Sequence, residues 1–151
     1  MSDRSVEHAT FSVERVYDAA PSRVFAAFTD PTAKAAWFIG DGAVTEYEMD
    51  FQVGGRELLR GRMADGRAYI VDACYHDIVE DERIVYAYTI DLDDTRISVS
   101  LATVQLRPDG GQTRLVLTEQ GAYLDGHDTP RQRASGITRQ LDALAATLDR
   151  T

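Results

Sequence analysis

Apolar and polar residues alternate from Phe11 to Tyr17, with Phe11, Val13, Arg15 and Tyr17 on one side and Ser12, Glu14 and Val16 on the other. That period of two predicts a β-strand. After Asp18-Ala19-Ala20, Pro21 suits a first helical turn, where its missing N–H costs little, and Val24, Phe25 and Phe28 follow at helical spacing. Thr29-Asp30-Pro31 ends that helix and opens a short second one over Thr32–Phe38, with Asp30 as its N-cap. From Gly42 to Ala122 the pattern is β, cut by turns at Asp65-Gly66, Glu80-Asp81-Glu82, Asp91–Asp94 and Pro108–Gly111. The strands between and around these turns include Leu58–Met63, Ala68–Val79, Arg83–Ile90, Ile97–Leu106 and Thr113–Thr118. Ile84, Tyr86, Tyr88 and Ile90 share one face. Ile97, Val99 and Leu101 share another, but Val104 and Leu106 then fall out of phase, so a β-bulge is expected at Ala102-Thr103.

The chain closes on a different period. Ile137, Leu141, Leu144 and Leu148 form one apolar stripe, with Ala134 and Ala145 alongside and Arg139, Asp142 and Asp149 opposite. The stripe predicts a helix of about 18 residues, roughly 27 Å long. Consecutive strands joined by short turns make an antiparallel meander of six or seven strands, apolar on one face, and the long helix supplies the matching stripe. The expected fold is therefore α+β: a curved antiparallel sheet around a long C-terminal helix, with two short helices after the first strand. A curved sheet gripping a helix leaves space near the helix ends for a ligand. Residues 1–151 read as a single domain, with 1–9 a flexible lead-in.

Charge narrows the partners. Sixteen basic residues against 25 acidic ones give a net charge of −9, and the Arg residues are scattered among acids. A nucleic-acid interface needs a basic groove or stripe, so none is expected, and the acidity disfavours an anionic membrane surface. No apolar run reaches the length of about 18–20 residues that a spanning helix needs. The opening Met1-Ser2-Asp3-Arg4 leads into polar residues without an apolar signal segment, which makes a cytoplasmic location the expectation. Cys74 is the one cysteine, so no internal disulfide can form. The histidines His8, His76 and His127 lack metal-ligand spacing, and no metal or cofactor is expected. Gly54-Gly55 and Gly110-Gly111 open no strand–loop–helix unit and read as turns.

Several motifs, taken in order, resemble the activator of Hsp90 ATPase homologue-like family of the START/Bet v 1-like helix-grip (SRPBCC, polyketide cyclase-like) superfamily. They are Arg15-Val16-Tyr17, Val24-Phe25-Ala26-Ala27-Phe28-Thr29-Asp30-Pro31, Trp37-Phe38, Gly54-Gly55, Asp65-Gly66, Tyr75 and Ile78, Arg83-Ile84-Val85-Tyr86, Gly110-Gly111-Gln112-Thr113, and Gly136 to Leu148. The resemblance spans about residues 10–149 and implies a helix-grip fold that binds a small hydrophobic or amphipathic molecule. Two positions depart from the family pattern: Ala73 stands where Gly is usual, and Ile137 where Trp usually follows the glycine. The co-chaperone that gives the family its name carries a separate N-terminal domain to which nothing in these residues corresponds. A chaperone partner is left open but not implied, as is the choice of monomer or homodimer.

Candidate site residues follow from both lines. Trp37 and Phe38 either close one end of a pocket or plug the short helices onto the sheet. Tyr69, Tyr86 and Tyr88 sit in strands, Tyr86 and Tyr88 on one face, where their hydroxyls meet a ligand if that face is concave. Met63, Leu101 and Leu141 complete the expected apolar lining. Glu119 is in register with Leu115 and Leu117; a carboxylate on an inward face has a raised pKa and is a candidate general base, or it pairs with a neighbouring Arg. Arg60 and Arg62 share a face, either solvated or gripping a ligand carboxylate. Three functions are therefore expected in order: small-molecule binding, a cyclase/aromatase- or hydratase-like enzyme using Glu119 and a tyrosine, and a protein-interaction module.

Overall fold

In a computed structural model describing residues 3–40 and 42–149, Asp30 serves two helices. It ends α1 (Pro21–Thr29) and caps α2 (Pro31–Phe38), its carboxylate accepting from the Ala33 N–H at 2.9 Å. Both helices begin on proline. Before them runs β1 (Val6–Tyr17), and after them come β2 (Ala43–Met49), β3 (Arg56–Arg62), β4 (Ala68–Val79), β5 (Arg83–Leu92), β6 (Thr95–Asp109), β7 (Gln112–Leu124) and α3 (Pro130–Leu148). The seven strands form one curved antiparallel sheet in the order β1-β7-β6-β5-β4-β3-β2, so the first strand closes onto the last. The Asp65-Gly66 turn has Gly66 at φ 90°, in the left-handed region that glycine tolerates. None of the helices among the described residues is long and apolar enough to cross a membrane.

Two expectations change. Residues 6–9 are strand, not lead-in: Val6 pairs with Leu124 and Ala9 with Gly121, because β7 runs on past Thr118 and offers its backbone to them. The phase of β6 also differs. Its inward face is Ser98, Ser100, Ala102, Val104 and Leu106 without interruption, and the register with β7 is continuous from Ser98 to Asp109. The irregularity lies earlier, where Ile90 pairs with Ser98 and Asp91 with Arg96, leaving Ile97 as the extra residue. The apolar Ile97-Val99-Leu101 alternation suggested the wrong face because two inward positions are serines.

The main core lies between the sheet and the helices. Ile137, Leu141, Leu144 and Leu148 of α3 meet Tyr17 of β1, Val24, Phe25 and Phe28 of α1, Trp37 of α2, and Val104, Leu106, Leu115 and Leu117 of the sheet. Each fully buried Leu or Ile contributes about 1.5–3 kcal/mol through removal from water. Directional bonds fix α3 in place. The Tyr17 hydroxyl donates to the Leu141 carbonyl at 2.8 Å, and Gln140 Nε2 donates to the Phe38 carbonyl at 2.9 Å. Thr129 caps α3 by accepting from the Gln132 N–H at 3.1 Å.

Candidate functional site

A second, smaller cluster adjoins the main core, built on Ala73, Tyr88 and Ala102, with Val71, Tyr86 and Ile90 half-buried against it and Tyr86 packing against both. Cross-strand register places these side chains. Tyr86 pairs with Ala102, and Ala102 with Glu119. Directly paired residues share a face, so the small Ala102 methyl leaves the Tyr86 and Glu119 side chains facing each other across it. Tyr88 pairs with Ser100, and Ser100 with Gly121; Ile90 pairs with Ser98, and Ser98 with Tyr123.

Above this face stands Arg133, one turn before Ile137 on the stripe of α3 and buried with it. Its Nη1 donates to the Tyr88 hydroxyl at 3.0 Å and to Ser100 Oγ at 3.3 Å. Its Nη2 donates to Ser98 Oγ at 2.8 Å and to Asp128 Oδ2 at 2.7 Å. The guanidinium carbon lies 5.5 Å from the Tyr88 ring centre and 5.6 Å from that of Tyr123. The Tyr88 hydroxyl donates in turn to Glu119 Oε1 at 2.7 Å, while Arg133 comes no nearer to Glu119 than 3.9 Å. Glu119 is 1% exposed, and burial pushes its carboxyl pKa up, with the Tyr88 hydrogen bond and Arg133 acting against the shift.

Three polar atoms in this region have no hydrogen-bond partner among the described residues: Glu119 Oε2, the Tyr86 hydroxyl and the Tyr123 hydroxyl. Burial raises the pKa of Tyr86 well above the ordinary tyrosine value, with Tyr88, Glu119 and Glu57 acting in the same direction. Tyr123 folds back over Gly121, whose missing side chain makes room for it: a Cβ there would lie 3.0 Å from the ring. Orphaned buried groups are few in native proteins, and the Tyr123 hydroxyl is the one fully buried case among the described residues; with Glu119 Oε2 and the Tyr86 hydroxyl it leaves hydrogen-bonding capacity unused on this face.

Beside it lies a second buried carboxylate. Glu57 Oε1 accepts from Lys34 Nζ at 2.7 Å and from the Tyr75 hydroxyl, and Oε2 accepts from the Tyr47 hydroxyl at 2.9 Å. Lys34, the one lysine in the chain, is 3% exposed. Its ammonium lies 4.5 Å from the Phe38 ring centre and 5.6 Å from that of Tyr86, and burial pushes its pKa down against the pull of Glu57. Tyr86 joins the two networks, with ring centres 6.0 Å from Tyr75 and 5.9 Å from Tyr88.

Of the residues expected from sequence, Tyr86, Tyr88 and Glu119 come together here, and Phe38, packed against the main core, shares the Lys34 ammonium with Tyr86. Trp37 is packed between helices, its indole N–H donating to the Ala27 carbonyl at 3.0 Å and its ring 4.9 Å from Phe28. Leu141 belongs to the main core. Tyr69 lies across Gly61 of β3, where a Cβ would come within 2.7 Å of its hydroxyl. Two expectations are corrected. Leu101 is 37% exposed on the outer face, a consequence of the β6 phase, and Met63 is 39% exposed, one residue past β3 in the Asp65-Gly66 turn. Arg60 and Arg62 are exposed, Arg60 pairing with Glu46 at 3.1 Å.

Lys34, Glu57, Arg133, Ser98 and Ser100 were missed. Arg133 stands four residues before Ile137, in phase with the apolar stripe, and Glu57 alternates with the inward Leu59; both signals were in the sequence. Two surface depressions, along Arg131, Gln132, Ser135 and Arg139 and along His8, Ala9, Thr10, Gln120 and Gly121, are open to solvent and do not reach the inner tyrosines.

Residues 18–149 match the family described as Activator of Hsp90 ATPase homolog 1-like protein. No curated protein matches the chain significantly. Among solved structures, an uncharacterized protein from Rhizobium leguminosarum is 42% identical, with a TM-score of 0.93 over 98% of this chain and 99% of that one. Mll3558 from Rhizobium loti is 45% identical, with a TM-score of 0.88 over 95% and 99%. CV1439 from Chromobacterium violaceum is 30% identical, with a TM-score of 0.75 over 91% and 94%.

Proposed function

Because this chain belongs to the activator of Hsp90 ATPase homolog 1-like family, whose fold is of the ligand-binding kind, we propose that it binds a small amphipathic molecule between the sheet and the N-terminal half of α3. The polar end of that molecule sits over Ala102, against Glu119 Oε2 and the hydroxyls of Tyr86 and Tyr123. Its apolar body lies along the half-buried Phe38, Val71 and Ile90. The observation that carries this reading is the Tyr123 hydroxyl, the one fully buried side-chain polar atom without a partner among the described residues, with Glu119 Oε2 and the Tyr86 hydroxyl also unbonded on the same face. Apolar walls with a few convergent polar groups are the general form of a small-molecule site.

The test is a screen of fragments and single-chain lipids read by amide chemical shifts of the full chain. Shifts confined to Phe38, Tyr86, Tyr88, Glu119 and their neighbours are expected. A screen that moves none of them, or only the two open surface depressions, removes the reading.

A catalytic use of the same place has one observation in its favour, the hydrogen bond from Tyr88 to a carboxyl whose pKa is raised by burial. Such a pair is suited to moving a proton on a bound enol or carbonyl compound. For a substrate found among the binders, Glu119→Gln then abolishes turnover and spares binding.

A further inference from the structure

The two buried carboxylates at the site differ in what remains of their countercharge. Two cations, Lys34 and Arg133, face three carboxylates: Glu57, Glu119 and Asp128. Lys34 is committed to Glu57 and covered by the Phe38 ring. Both terminal nitrogens of Arg133 are spent, each on two acceptors, and its one close carboxylate is Asp128. Glu119 is thus the carboxylate without a cation in contact, and its Oε2 is an open acceptor.

A ligand carboxylate arriving here brings a second negative charge into a buried place whose cations are already engaged. It offers acceptors only, so it cannot satisfy Glu119 Oε2. A hydroxyl is complementary on both counts: its proton goes to Glu119 Oε2, and its two lone pairs accept from the hydroxyls of Tyr86 and Tyr123. Discrimination then comes from repulsion of the wrong partner as much as from attraction of the right one. We infer that the site selects amphiphiles whose polar end is an uncharged alcohol or phenol and rejects carboxylates with the same apolar body, Glu119 being the selecting residue. The inference rests on the proposed function above.

The experiment compares matched probes on the full chain at neutral pH: naphthol against naphthoate, and octanol against octanoate. Dissociation constants are taken from shifts at Tyr86, Tyr88 and Glu119. In the wild-type protein each alcohol binds about tenfold or more tighter than its carboxylate. Glu119→Gln narrows that ratio to about threefold or less, chiefly by tightening the carboxylate. Carboxylates that bind the wild-type protein as tightly as the alcohols overturn the inference and leave the binding reading standing. If neither pair moves these residues in the folded protein, both fall. The wild-type comparison is decisive without the variant.

Discussion

Glu57 and Glu119 sit on the same inner face, both buried, yet they are different kinds of site. Around Glu57 every demand is met: one oxygen takes an ammonium and a phenol, the other a second phenol. Around Glu119 one oxygen takes a phenol, the nearest cation stands 3.9 Å away, and the other oxygen takes nothing. A buried carboxylate in contact with its countercharge and saturated by donors is locked into the fold; one left half-satisfied is available to a partner. The contrast teaches that burial alone does not mark a functional carboxylate. What marks it is the hydrogen-bonding capacity left over.

Breaking the locked side has the largest effect. Lys34→Met leaves Glu57 with its charge, its two phenols and no cation in contact, and it is expected to cost about 3–5 kcal/mol. Urea unfolding measures this. The double variant Lys34→Met, Glu57→Met recovers most of the loss, because removing both members of a buried pair leaves no uncompensated charge. A single-variant cost below about 1 kcal/mol denies that the pair is locked.

The fold was legible in the sequence because its signals are local and redundant. The stripe on α3, the Asp30-Pro31 break and the Asp65-Gly66 turn each state one element, and the strand meander follows from their order. The site was half legible. Glu119, Tyr86 and Tyr88 announced themselves by alternation with apolar neighbours. Ser98 and Ser100 did not, because a hydroxyl that turns inward to meet Arg133 looks the same in sequence as one that turns to water. The cost was a shifted face for β6, which put Leu101 in the lining and hid the serines. Arg133 was hidden by its charge, although its spacing put it on the apolar stripe. Buried polar residues satisfied by one another over long sequence separation carry no local signature.

Filling the open side has the next effect. Ala102 is fully buried between Tyr86 and Glu119, and Ala102→Leu puts a side chain where the ligand head is proposed to sit. Overpacking is expected to cost about 1–3 kcal/mol in thermal or urea unfolding. Ligands found in the screen lose their shifts at Tyr86 and Tyr88, while the Lys34–Glu57 side is undisturbed. Full binding by a folded Ala102→Leu protein would place the ligand elsewhere.

Glu119→Gln sharpens the comparison through pH. The folded protein holds the Glu119 proton more tightly than the unfolded chain, whose carboxyl titrates near 4.5. Stability from that proton is fully present below the ordinary value and is lost as pH rises through the elevated one. The glutamine variant has no such loss. Its melting temperature therefore gains on wild type as pH rises from 4 towards 8, with the two converging at the acid end. Tyr88, Arg133 and Asp128 face the same carboxyl and stay in both proteins, so they do not set the difference. A gap independent of pH, or one that widens on acidification, contradicts the unequal satisfaction of the two carboxylates.

The smallest effects come from two phenols that differ in one bond. Tyr17 and Tyr123 are both buried, but Tyr17 donates to the Leu141 carbonyl and Tyr123 donates to nothing among the described residues. Tyr17→Phe removes a made hydrogen bond, which costs about 0.5–1.5 kcal/mol, although the Leu141 carbonyl keeps its place in the α3 ladder. Tyr123→Phe removes a hydroxyl that was already unsatisfied, so its desolvation cost disappears with it and stability stays within about 0.5 kcal/mol of wild type or rises. Binding moves the other way. Tyr17→Phe leaves the affinity for an alcohol probe unchanged, whereas Tyr123→Phe weakens it by several-fold, because the free donor is what the ligand oxygen meets. A Tyr123→Phe protein that is markedly less stable and binds normally would mean that this hydroxyl serves the fold, and the open side would lose one of its three atoms.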